Sequence, residues 1–353
     1  MTTKRKTQQL SLLSVPITNL FAPRKAWESL NGSHREQYVD DLVTHYQEQG
    51  FPYFNLDKDT IYQEMTALKA VDSRQLVEDN RIKQIMLGLN VVNHFMPNIF
   101  HAKNKAFRSP VDCFSDKGLL KKAIEKRLEL GDNMSDAGMR KALSFTSGTH
   151  RVSNFRPTVA KYIYDMYAGS GLVIDFSSGY GGRLLGALAS QRVRKYIGCE
   201  PNTETYQNLK KMAGFFSGTE IELINECAED VSLGGGADLV FSSPPYFNTE
   251  EYCNEDTQSY LRFPTKDQWK DGFLRQVIRK SVGWLKPNGY LIINIANVDT
   301  YKNLESDTLD LATEYGFVLE RTYLMELSGL FKSEYKHEPV FVFRRNEFPQ
   351  RRN

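Results

Sequence analysis

Two rhythms of hydrophobic and polar residues divide the chain near residue 150. In the first part, apolar residues recur at helical spacing, so that after Ser33 the side chains of Tyr38 and Leu42 share one face. Ser33 and Glu36 have the spacing of a capping box, and Gly50 can end the same helix. The pattern predicts further helices near residues 58–69, 74–90, 117–130 and 136–144. Residues 1–150 are therefore predicted to form a mainly helical domain.

After Phe155, short apolar runs alternate with helical stretches, which is the pattern of β-α-β units around a mostly parallel sheet. The predicted strands are Leu172–Phe176, Tyr196–Cys199, Ile221–Asn225, Asp238–Ser242, Tyr290–Ala296, Phe317–Leu324 and Pro339–Arg344. No helix-length segment separates the last two, so we expect them to pair as an antiparallel hairpin. Residues 151–353 are therefore predicted to form an α/β domain with a seven-stranded, Rossmann-like, mostly parallel sheet whose last strand is antiparallel.

Composition narrows the classes of protein to which this chain can belong. Its 353 residues are enough for about two domains of roughly 150 residues each. Hydrophobic residues make up 41% and charged residues 25%, which excludes a largely disordered, collagen-like or coiled-coil chain. No apolar run approaches the roughly 18 residues of a membrane span, and the polar, basic N-terminus lacks the apolar core of a secretory signal. We therefore expect a cytoplasmic protein.

The cysteines and the charges add two further expectations. The four cysteines lie far apart, with no Cys-x-x-Cys pair and no histidine cluster at ligand spacing, so neither a disulfide framework nor a metal site is expected. Residues 1–150 contain 21 Lys and Arg against 17 Asp and Glu, with a local basic excess over residues 100–127. Such an excess can neutralise phosphates, although a solvated helix face has the same composition. The first domain is therefore the candidate for target recognition on nucleic acid.

An acidic residue and a glycine turn follow the first predicted strand. The segment Asp175-Phe-Ser-Ser-Gly179-Tyr-Gly181 opens a helix, and its glycines allow a ligand to approach the backbone. Glu200 ends the second strand, where a carboxylate can bind the ribose hydroxyls of a nucleoside. Leu184 stands where the dinucleotide fingerprint requires its third glycine, which argues against NAD or FAD. Asp175 would repel a pyrophosphate and suits a cofactor with an ammonium or sulfonium centre.

The fourth predicted strand ends in the turn Ser243-Pro244-Pro245-Tyr246-Phe247. Two consecutive prolines stiffen this turn and leave carbonyls such as that of Pro244 unpaired. The turn lies at the carboxyl end of a strand beside the glycine turn, where open α/β sheets bind ligands. Ser243 Oγ and the Pro244 carbonyl can accept the two N–H groups of an exocyclic amine while Tyr246 stacks on the ring that carries it.

With these motifs, residues 150–345 resemble the S-adenosylmethionine-dependent amino-methyltransferases that modify exocyclic amines of DNA bases. The segment 175–181 resembles their cofactor motif, Glu200 their ribose-binding acid, and Ser243-Pro-Pro-Tyr246 their catalytic motif. The segment Ser153-Asn-Phe155-Arg-Pro157-Thr158 resembles the element that closes over the methionine end of the cofactor. The resemblance covers a little over half of the chain. It implies a methyltransferase fold, S-adenosyl-L-methionine as cofactor and double-stranded or single-stranded DNA as partner.

The resemblance also implies roles for individual residues. The catalytic residues are expected to be Ser243, Pro244, Pro245 and Tyr246, and the substrate-binding residues Tyr246 and Phe247. The cofactor-binding residues are expected to be Phe155, Arg156, Pro157, Asp175, Ser177, Gly179, Gly181, Glu200, Cys227 and Ser242. Segment 249–260 is expected to form a lid over the target base, and His337 beside Glu338 is interpreted as a polar pair at a strand end.

A Ser at the first catalytic position is more usual in the family's cytosine-N4 enzymes, so cytosine N4 is the preferred target and adenine N6 the alternative. Many Ser-type members carry the catalytic motif before the cofactor motif, the reverse of this chain, which leaves the base open. Transfer of a methyl or another group to an RNA amine or an unusual base is a further alternative. A catalytically idle nucleic-acid-binding protein with the same fold is the alternative outside the enzymes.

The target base is expected to leave the helix stack before it reacts, because a paired base cannot present its amine to a buried donor. The catalytic motif would then act by positioning and charge stabilisation, with direct transfer of the group and no covalent intermediate. Cytosine-C5 methylation needs a cysteine after a proline, and no cysteine of this chain stands there.

Overall fold

The computed structural model describes residues 27–28, 30–83, 85–104, 106–131, 134–149, 152–327 and 336–346. These residues form two compact units. The first contains the described residues up to Tyr53 and those between Phe100 and Arg151, and the second contains Phe54–Ile99 and the described residues from Val152 onward. One boundary between the units lies between Arg151 and Val152, near the point where the pattern of hydrophobic residues changes. Segment 54–99, however, belongs to the second unit. Among the described residues, no helix combines the length and the hydrophobicity that a membrane span requires.

The helices are named here in chain order. They are α1 (Gly32–Gln49), α2 (Lys58–Ala70), α3 (Leu89–Phe95), α4 (Pro110–Ser115), α5 (Lys117–Leu130), α6 (Asp136–Thr146), α7 (Pro157–Tyr167), α8 (Gly182–Ala189), α9 (Thr203–Phe215), α10 (Ser259–Arg262), α11 (Lys266–Trp269), α12 (Arg275–Trp284) and α13 (Leu304–Glu314). Short 3-10 turns cover Ser73–Leu76 and Pro97–His101, and a π-helical turn, Lys270–Leu274, joins α11 to α12.

The strands are named in the same way. They are β1 (Val77–Glu78), β2 (Arg81–Ile82), β3 (Leu172–Asp175), β4 (Lys195–Cys199), β5 (Glu220–Ile224), β6 (Ala237–Ser242), β7 (Leu285–Asn294), β8 (Phe317–Glu326) and β9 (His337–Arg345). Each of the seven predicted strands has its counterpart among β3 to β9.

The first unit is built from α1, α4, α5 and α6, whose apolar faces pack together. Tyr46 of α1 is buried in this core, and its hydroxyl donates to the Met134 carbonyl at 2.7 Å. Gly50 ends α1 with a positive φ of 81°, as predicted. The predicted capping box was wrong, because the helix begins earlier. The side chain of Asn31 accepts the backbone N–H of His34 and caps the helix, and Ser33 lies inside it.

The predicted helix near residues 74–90 was also wrong. The chain instead forms the two-stranded hairpin β1–β2, whose turn residues Asp79 and Asn80 have φ values of 48° and 64°. Two successive left-handed residues make the tight turn that suits the twist of a hairpin, and Asp and Asn tolerate this conformation. β2 then pairs in parallel with β8, so this hairpin extends the edge of the main sheet.

The sheet of the second unit has the strand order β1-β2-β8-β9-β7-β6-β3-β4-β5. The strands β3 to β7 are parallel to one another, whereas β9 runs antiparallel between β7 and β8. This is the Rossmann-like, mostly parallel sheet with an antiparallel last strand that the sequence predicts, and the expected pairing of the last two strands is confirmed.

The strand order reverses direction beside β3. From β3 the chain winds outward through β4 to β5 and then returns to place β6 on the other side of β3. The loops that follow β3 and β6 therefore diverge at the carboxyl edge of the sheet and leave a crevice between them, where α/β sheets of this kind bind ligands. The glycine turn follows β3, and the Ser-Pro-Pro-Tyr turn follows β6.

The segment before α7 packs directly on the glycine turn. Asn154 Nδ2 donates to the Tyr180 carbonyl at 3.0 Å. At Gly182, the first residue of α8, an added Cβ would overlap the backbone carbonyl oxygen of Phe155. Gly182 is therefore required for close packing of this segment against the start of the helix.

We expect Gly182→Ala to lower the free energy of unfolding by roughly 1–3 kcal/mol, because the overlapping atom is backbone and cannot rotate away. Gly214 in α9 provides a matched control, since an added Cβ there meets no atom within 4 Å. Gly214→Ala should raise the stability by up to about 1 kcal/mol. Denaturant unfolding of both variants measures the difference. Equal effects of the two substitutions would contradict the close packing described at Gly182.

Candidate active site

A cavity of about 540 Å³ opens at the carboxyl edge of the sheet, within the second unit. This volume lies in the range of small-molecule and cofactor pockets. Its walls come from the segment before α7, the turns after β3, β4, β5 and β6, the ends of β7 and β8, the start of β9, and the predicted lid. Of the predicted site residues, the cavity is lined by Phe155, Arg156, Ser177, Gly179, Glu200, Cys227, Ser243, Pro244, Pro245 and Tyr246.

Five predicted site residues do not line this cavity. They are Pro157, Asp175, Gly181, Ser242 and Phe247. Pro157 is buried at the first position of α7, where its missing N–H would have no helical partner. Gly181 has a φ of 78°, and an added Cβ there would press on the side chains of Met212 and Leu209, so this glycine permits packing inside the protein.

Asp175 lies beneath the cavity and is fully buried. Its Oδ2 accepts bonds from Arg183 Nε and from the Tyr196 hydroxyl, both at 2.8 Å. Its Oδ1 accepts the Ser242 hydroxyl at 2.7 Å and the backbone N–H of Ser177 at 3.3 Å. The charge of Asp175 is therefore paired and its oxygens are occupied, which leaves no place for the ammonium or sulfonium contact expected from the sequence.

Glu200 is the carboxylate that faces the cavity from the neighbouring strand. It follows β4 and is 8% exposed, and it accepts the backbone N–H groups of Gly179 at 2.8 Å and Asn202 at 3.0 Å. Burial raises the pKa of this carboxyl to about 7. Each of its oxygens keeps a second acceptor position, so the ionised form can still bind the two hydroxyls of a ribose.

The glycine turn meets the cavity at Gly179 and Tyr180. Gly179 has a φ of 55°, and an added Cβ would meet only the Ser177 carbonyl oxygen, 3.8 Å away. The Tyr180 side chain lines the cavity and is 8% exposed, and its hydroxyl has no hydrogen-bond partner among the described residues. A buried hydroxyl without a partner is costly, so this one points to a polar atom of a bound ligand.

Arg156 and Cys227 also line the cavity. The Arg156 guanidinium donates to the Asn154 carbonyl at 2.6 Å and to Ser153 Oγ at 3.3 Å. The Cys227 thiol donates to the Thr257 carbonyl at 3.6 Å, and burial raises its pKa to about 11. Cys227 is therefore a neutral thiol at physiological pH, which suits contact with an uncharged ring and not nucleophilic chemistry.

The turn Ser243-Pro244-Pro245-Tyr246, named the catalytic turn for its expected role, presents an oriented pair of acceptors. Ser243 Oγ donates its hydrogen to Asn294 Oδ1 at 3.1 Å, and Asn294 Nδ2 donates to the Pro339 carbonyl at 3.1 Å. The second bond fixes which way the Asn294 amide points. Because the Ser243 hydrogen is committed to Asn294, the lone pairs of Ser243 Oγ remain available to accept from a ligand. The carbonyl of Pro244 accepts no hydrogen bond from any residue that the structure describes.

Tyr246 is held by the same group of side chains. Its hydroxyl lies 3.3 Å from Asn294 Oδ1 and 3.2 Å from Glu338 Oε2, between which its single hydrogen is shared. Burial raises the pKa of Tyr246 well above its usual range, so the hydroxyl remains a donor. Both anchors fix the orientation of a ring whose side chain lines the cavity.

Phe247 was predicted to help Tyr246 in stacking, but the structure places its ring elsewhere. The residue has a φ of 55°, so the chain turns sharply there and the side chain points inward. Its ring packs edge-on against Trp269 at a centroid distance of 6.0 Å and against Tyr301 at 6.1 Å. Phe247 thus belongs to the core behind the turn.

Sequence reasoning missed Asn294 and Glu338. Asn294 lies at the end of β7 on the ligand-binding edge of the sheet, a position that the strand prediction could have flagged. Glu338 was interpreted as half of a strand-end polar pair with His337, whereas its side chain lines the cavity and bonds to the catalytic turn. Its chain position, 92 residues after Tyr246, carries no local signal for this contact.

The predicted lid, segment 249–260, forms one wall of the cavity. Glu255 accepts the backbone N–H of Thr203 at 3.1 Å, which ties the segment to the start of α9. The Tyr252 hydroxyl donates to Glu250 Oε2 at 2.7 Å, and the Tyr252 ring meets that of Tyr180 at a centroid distance of 6.2 Å. The wall is therefore aromatic and acidic, and it does not suit contact with phosphates.

Comparison with known proteins gives no match to any family model or to any curated protein. Solved structures that overlap part of the chain include TrmN from Thermus thermophilus, with 15% identity over 54% of this chain and 48% of that protein, and a TM-score of 0.37. This chain therefore spans about half the length of TrmN. Magnesium protoporphyrin IX methyltransferase from Synechocystis PCC 6803 has 16% identity over 54% of this chain and 77% of that one, with a TM-score of 0.38.

The N-methyltransferase NodS from Bradyrhizobium japonicum WM9, in complex with S-adenosyl-L-homocysteine, has 14% identity over 54% of this chain and 85% of that one, with a TM-score of 0.38. At this level of identity and overlap, such neighbours do not identify a substrate for this chain. Its chemistry has to follow from its own residues.

The pKa of about 7 at Glu200 predicts a pH dependence of nucleoside binding. Above pH 7 the carboxylate can accept ribose hydroxyls, and as the pH falls through 7 it takes up a proton and loses acceptor capacity. We expect the affinity for S-adenosyl-L-homocysteine to fall by up to about tenfold from pH 8 to pH 6. Isothermal titration at both values measures this. Glu200→Gln should bind more weakly at pH 8 and show little pH dependence, and a wild-type affinity that does not change with pH would contradict the assignment.

The unpartnered Tyr180 hydroxyl predicts a contact with the same ligand. Tyr180→Phe should weaken binding of S-adenosyl-L-homocysteine by roughly threefold to tenfold, the worth of one hydrogen bond. Tyr164 offers a matched control, because its hydroxyl is also buried without a partner among the described residues but does not line the cavity. Tyr164→Phe should leave the affinity unchanged, and equal affinities of the two variants would argue against a ligand contact at Tyr180.

Proposed function

We propose that this chain is an S-adenosylmethionine-dependent methyltransferase that acts on the exocyclic amine of a nucleobase, with cytosine N4 of DNA as its target. The observation that carries the proposal is the pair of acceptors on the catalytic turn. Ser243 Oγ is held as an acceptor by Asn294, and it stands beside the free Pro244 carbonyl in the cavity that Gly179 and Glu200 also line.

The nucleoside end of the cavity supports the choice of cofactor. Gly179 allows a ligand to approach the backbone closely, and Glu200 offers acceptors for ribose hydroxyls. The Tyr180 hydroxyl has no hydrogen-bond partner among the described residues and can bond to the ligand. Phe155 and Arg156 would lie toward the amino-acid end of the cofactor, as the family resemblance implies. S-adenosylmethionine supplies an electrophilic methyl group when it is bound at such a site.

The catalytic turn would act by orienting the target amine. One N–H donates to Ser243 Oγ and the other to the Pro244 carbonyl, so the nitrogen's remaining electron density points away from both acceptors. Tyr246 would hold the ring that carries the amine by stacking, worth about 1–3 kcal/mol per base. These residues position the nucleophile and stabilise the positive charge that develops on nitrogen, and the proton leaves during or after attack.

The cavity can only receive a base that has left the helix stack, so the substrate would be a flipped base or a single strand. The acidic wall near Glu250 would keep the phosphates outside. For phosphate contacts we propose the first unit, whose basic stretch lies largely in α5. In the described part of that stretch, Arg108, Lys121 and Lys126 form surface ion pairs with Asp116, Asp40 and Glu129. Exposed pairs of this kind are weak enough to be exchanged for phosphates.

The acceptor pair fits the amine of cytosine or adenine, in DNA or in RNA, so the product has to decide between them. Labelled S-adenosylmethionine would be incubated with DNA and with RNA, and the products digested to nucleosides. The proposal expects label in N4-methylcytosine from DNA. Label in N6-methyladenine or only in RNA would correct the target, and binding of S-adenosyl-L-homocysteine without any transfer would indicate a catalytically idle protein.

Ser243→Ala tests the acceptor pair. Loss of one hydrogen bond to the amine should lower kcat by roughly tenfold to a hundredfold, while the affinity for S-adenosyl-L-homocysteine stays unchanged. Ser306→Ala is the matched control, because Ser306 is exposed on α13, outside the cavity, and its hydroxyl donates to the Asn303 carbonyl. A Ser243→Ala enzyme with the wild-type kcat would show that Ser243 does not hold the amine.

A further inference from the structure

Glu338 is the acidic side chain that joins the catalytic turn to the far wall of the cavity. It lies at the start of β9, opposite Met325 of β8, and lines the cavity together with Ser243 and Pro244. One carboxyl oxygen, Oε2, accepts the Tyr246 hydroxyl at 3.2 Å and lies 3.5 Å from Asn294 Nδ2. No described residue donates to the other oxygen, Oε1.

The surroundings of Glu338 raise its pKa. In the part of the chain that the structure describes, no Lys or Arg forms an ion pair with it. Tyr246, Glu250 and Arg156 act on its charge, and Lys336 lines the same cavity. Burial is the largest effect on its pKa and raises it, and the negative charge of Glu250 acts in the same direction, whereas the hydrogen bonds from Tyr246 and Asn294 and the charge of Arg156 lower it. In its protonated form the carboxyl can donate a hydrogen bond from Oε1.

The candidate target bases differ at the ring nitrogen beside the amine. Cytosine and adenine have an unprotonated nitrogen there, which accepts a hydrogen bond. On its Watson–Crick edge guanine has an N–H group beside the amine, N1–H, which donates one, and its other neighbouring nitrogen, N3, lies outside that edge. A flipped base is read through this edge. A neutral carboxyl beside the acceptor pair therefore complements cytosine or adenine, whereas an ionised one complements guanine.

We propose that Glu338 is a specificity-determining residue, whose Oε1–H donates to the ring nitrogen beside the amine that Ser243 and Pro244 hold. The inference rests on the proposed function and extends it. Ser243 and Pro244 accept hydrogen bonds from the two hydrogens of the amine, and Glu338 donates to the ring nitrogen beside it. Tyr246 connects these two groups of contacts, since its hydroxyl bonds to Glu338 and to the Asn294 amide that also holds Ser243. Guanine presented by its Watson–Crick edge is rejected because its N1–H would face the carboxyl hydrogen.

Substitutions of Glu338 separate donation by a neutral group from a need for negative charge. Glu338→Gln keeps a neutral donor, so its kcat/KM on cytosine in DNA should stay within about threefold of wild type at neutral pH. Glu338→Leu removes the donor and should lower kcat/KM by about tenfold to a hundredfold. The control Glu320→Gln makes the same substitution on β8, where Glu320 pairs with Arg344 outside the cavity, and should change nothing.

The pH profile adds a readout that a merely structural role would not move. As the pH rises through the pKa of Glu338, the wild-type enzyme loses the donor, so kcat/KM on cytosine should fall. Glu338→Gln cannot ionise, so this fall should be absent. Thermal melting of each variant in the presence of S-adenosyl-L-homocysteine shows whether the fold is intact. If the Leu variant does not fold, the kcat/KM and pH profile of the Gln variant test the inference.

The outcomes keep this inference apart from the proposed function. Wild-type transfer to cytosine combined with a Gln variant as weak as the Leu variant would overturn the inference, because it would show that the carboxylate itself is needed. Methylguanine as the product would overturn it as well. If the wild type transfers no methyl group, the proposed function fails. The inference is then tested by comparing the affinities of the protein for deoxycytidine and for deoxyguanosine. A preference for deoxycytidine that survives in the Gln variant and is lost in the Leu variant supports the inference, and an absence of preference overturns it.

Discussion

One buried ion pair organises the edge of the sheet on which the whole site is built. Asp175 ends the central strand β3 and binds Arg183 of α8, Tyr196 of β4, Ser242 of β6 and the backbone of the glycine turn. Four elements thus share one carboxylate at the point where the strand order reverses. A buried charge that loses its partner costs about 3–5 kcal/mol, so these elements cannot shift independently. The crevice between them keeps its shape because the buried ion pair of Asp175 and Arg183 holds these elements together beneath it.

The two serines at the end of β6 show how this floor supports the chemistry above it. Successive residues of a strand point in opposite directions. Ser242 therefore turns down to Asp175, at 2.7 Å, while Ser243 faces Asn294, at 3.1 Å, and lines the cavity. Ser242 anchors the strand end. Ser243 donates its hydrogen to Asn294, so its oxygen is available to a ligand only as an acceptor. Pro244 and Pro245 then keep the turn from rearranging. The site is an arrangement of acceptors whose directions are set by the neighbouring side chains.

Much of the second unit was predictable because its signals are local. Short apolar runs separated by helical stretches identified the seven strands β3 to β9, since a buried strand and an amphipathic helix differ in period within a few residues. The glycine turn and the Ser-Pro-Pro-Tyr turn were recognisable for the same reason, as glycine and proline restrict the backbone at their own positions. Ten of the predicted site residues line one cavity, because the carboxyl ends of neighbouring parallel strands meet at one edge.

The sequence by itself determined the seven strands β3 to β9, the two turns that follow β3 and β6, and the edge of the sheet that carries the site. Only the tertiary structure decided which side chain at that edge faces a ligand. Asp175 and Glu200 are both acids that follow a strand, yet Arg183 closes the first off and the second lines the cavity. Phe247 turned into the core, and Glu338 reached the catalytic turn from 92 residues away. These outcomes depend on partners that are distant in the chain, and hydrophobic periodicity carries no information about them because it reports burial and not the identity of the neighbour.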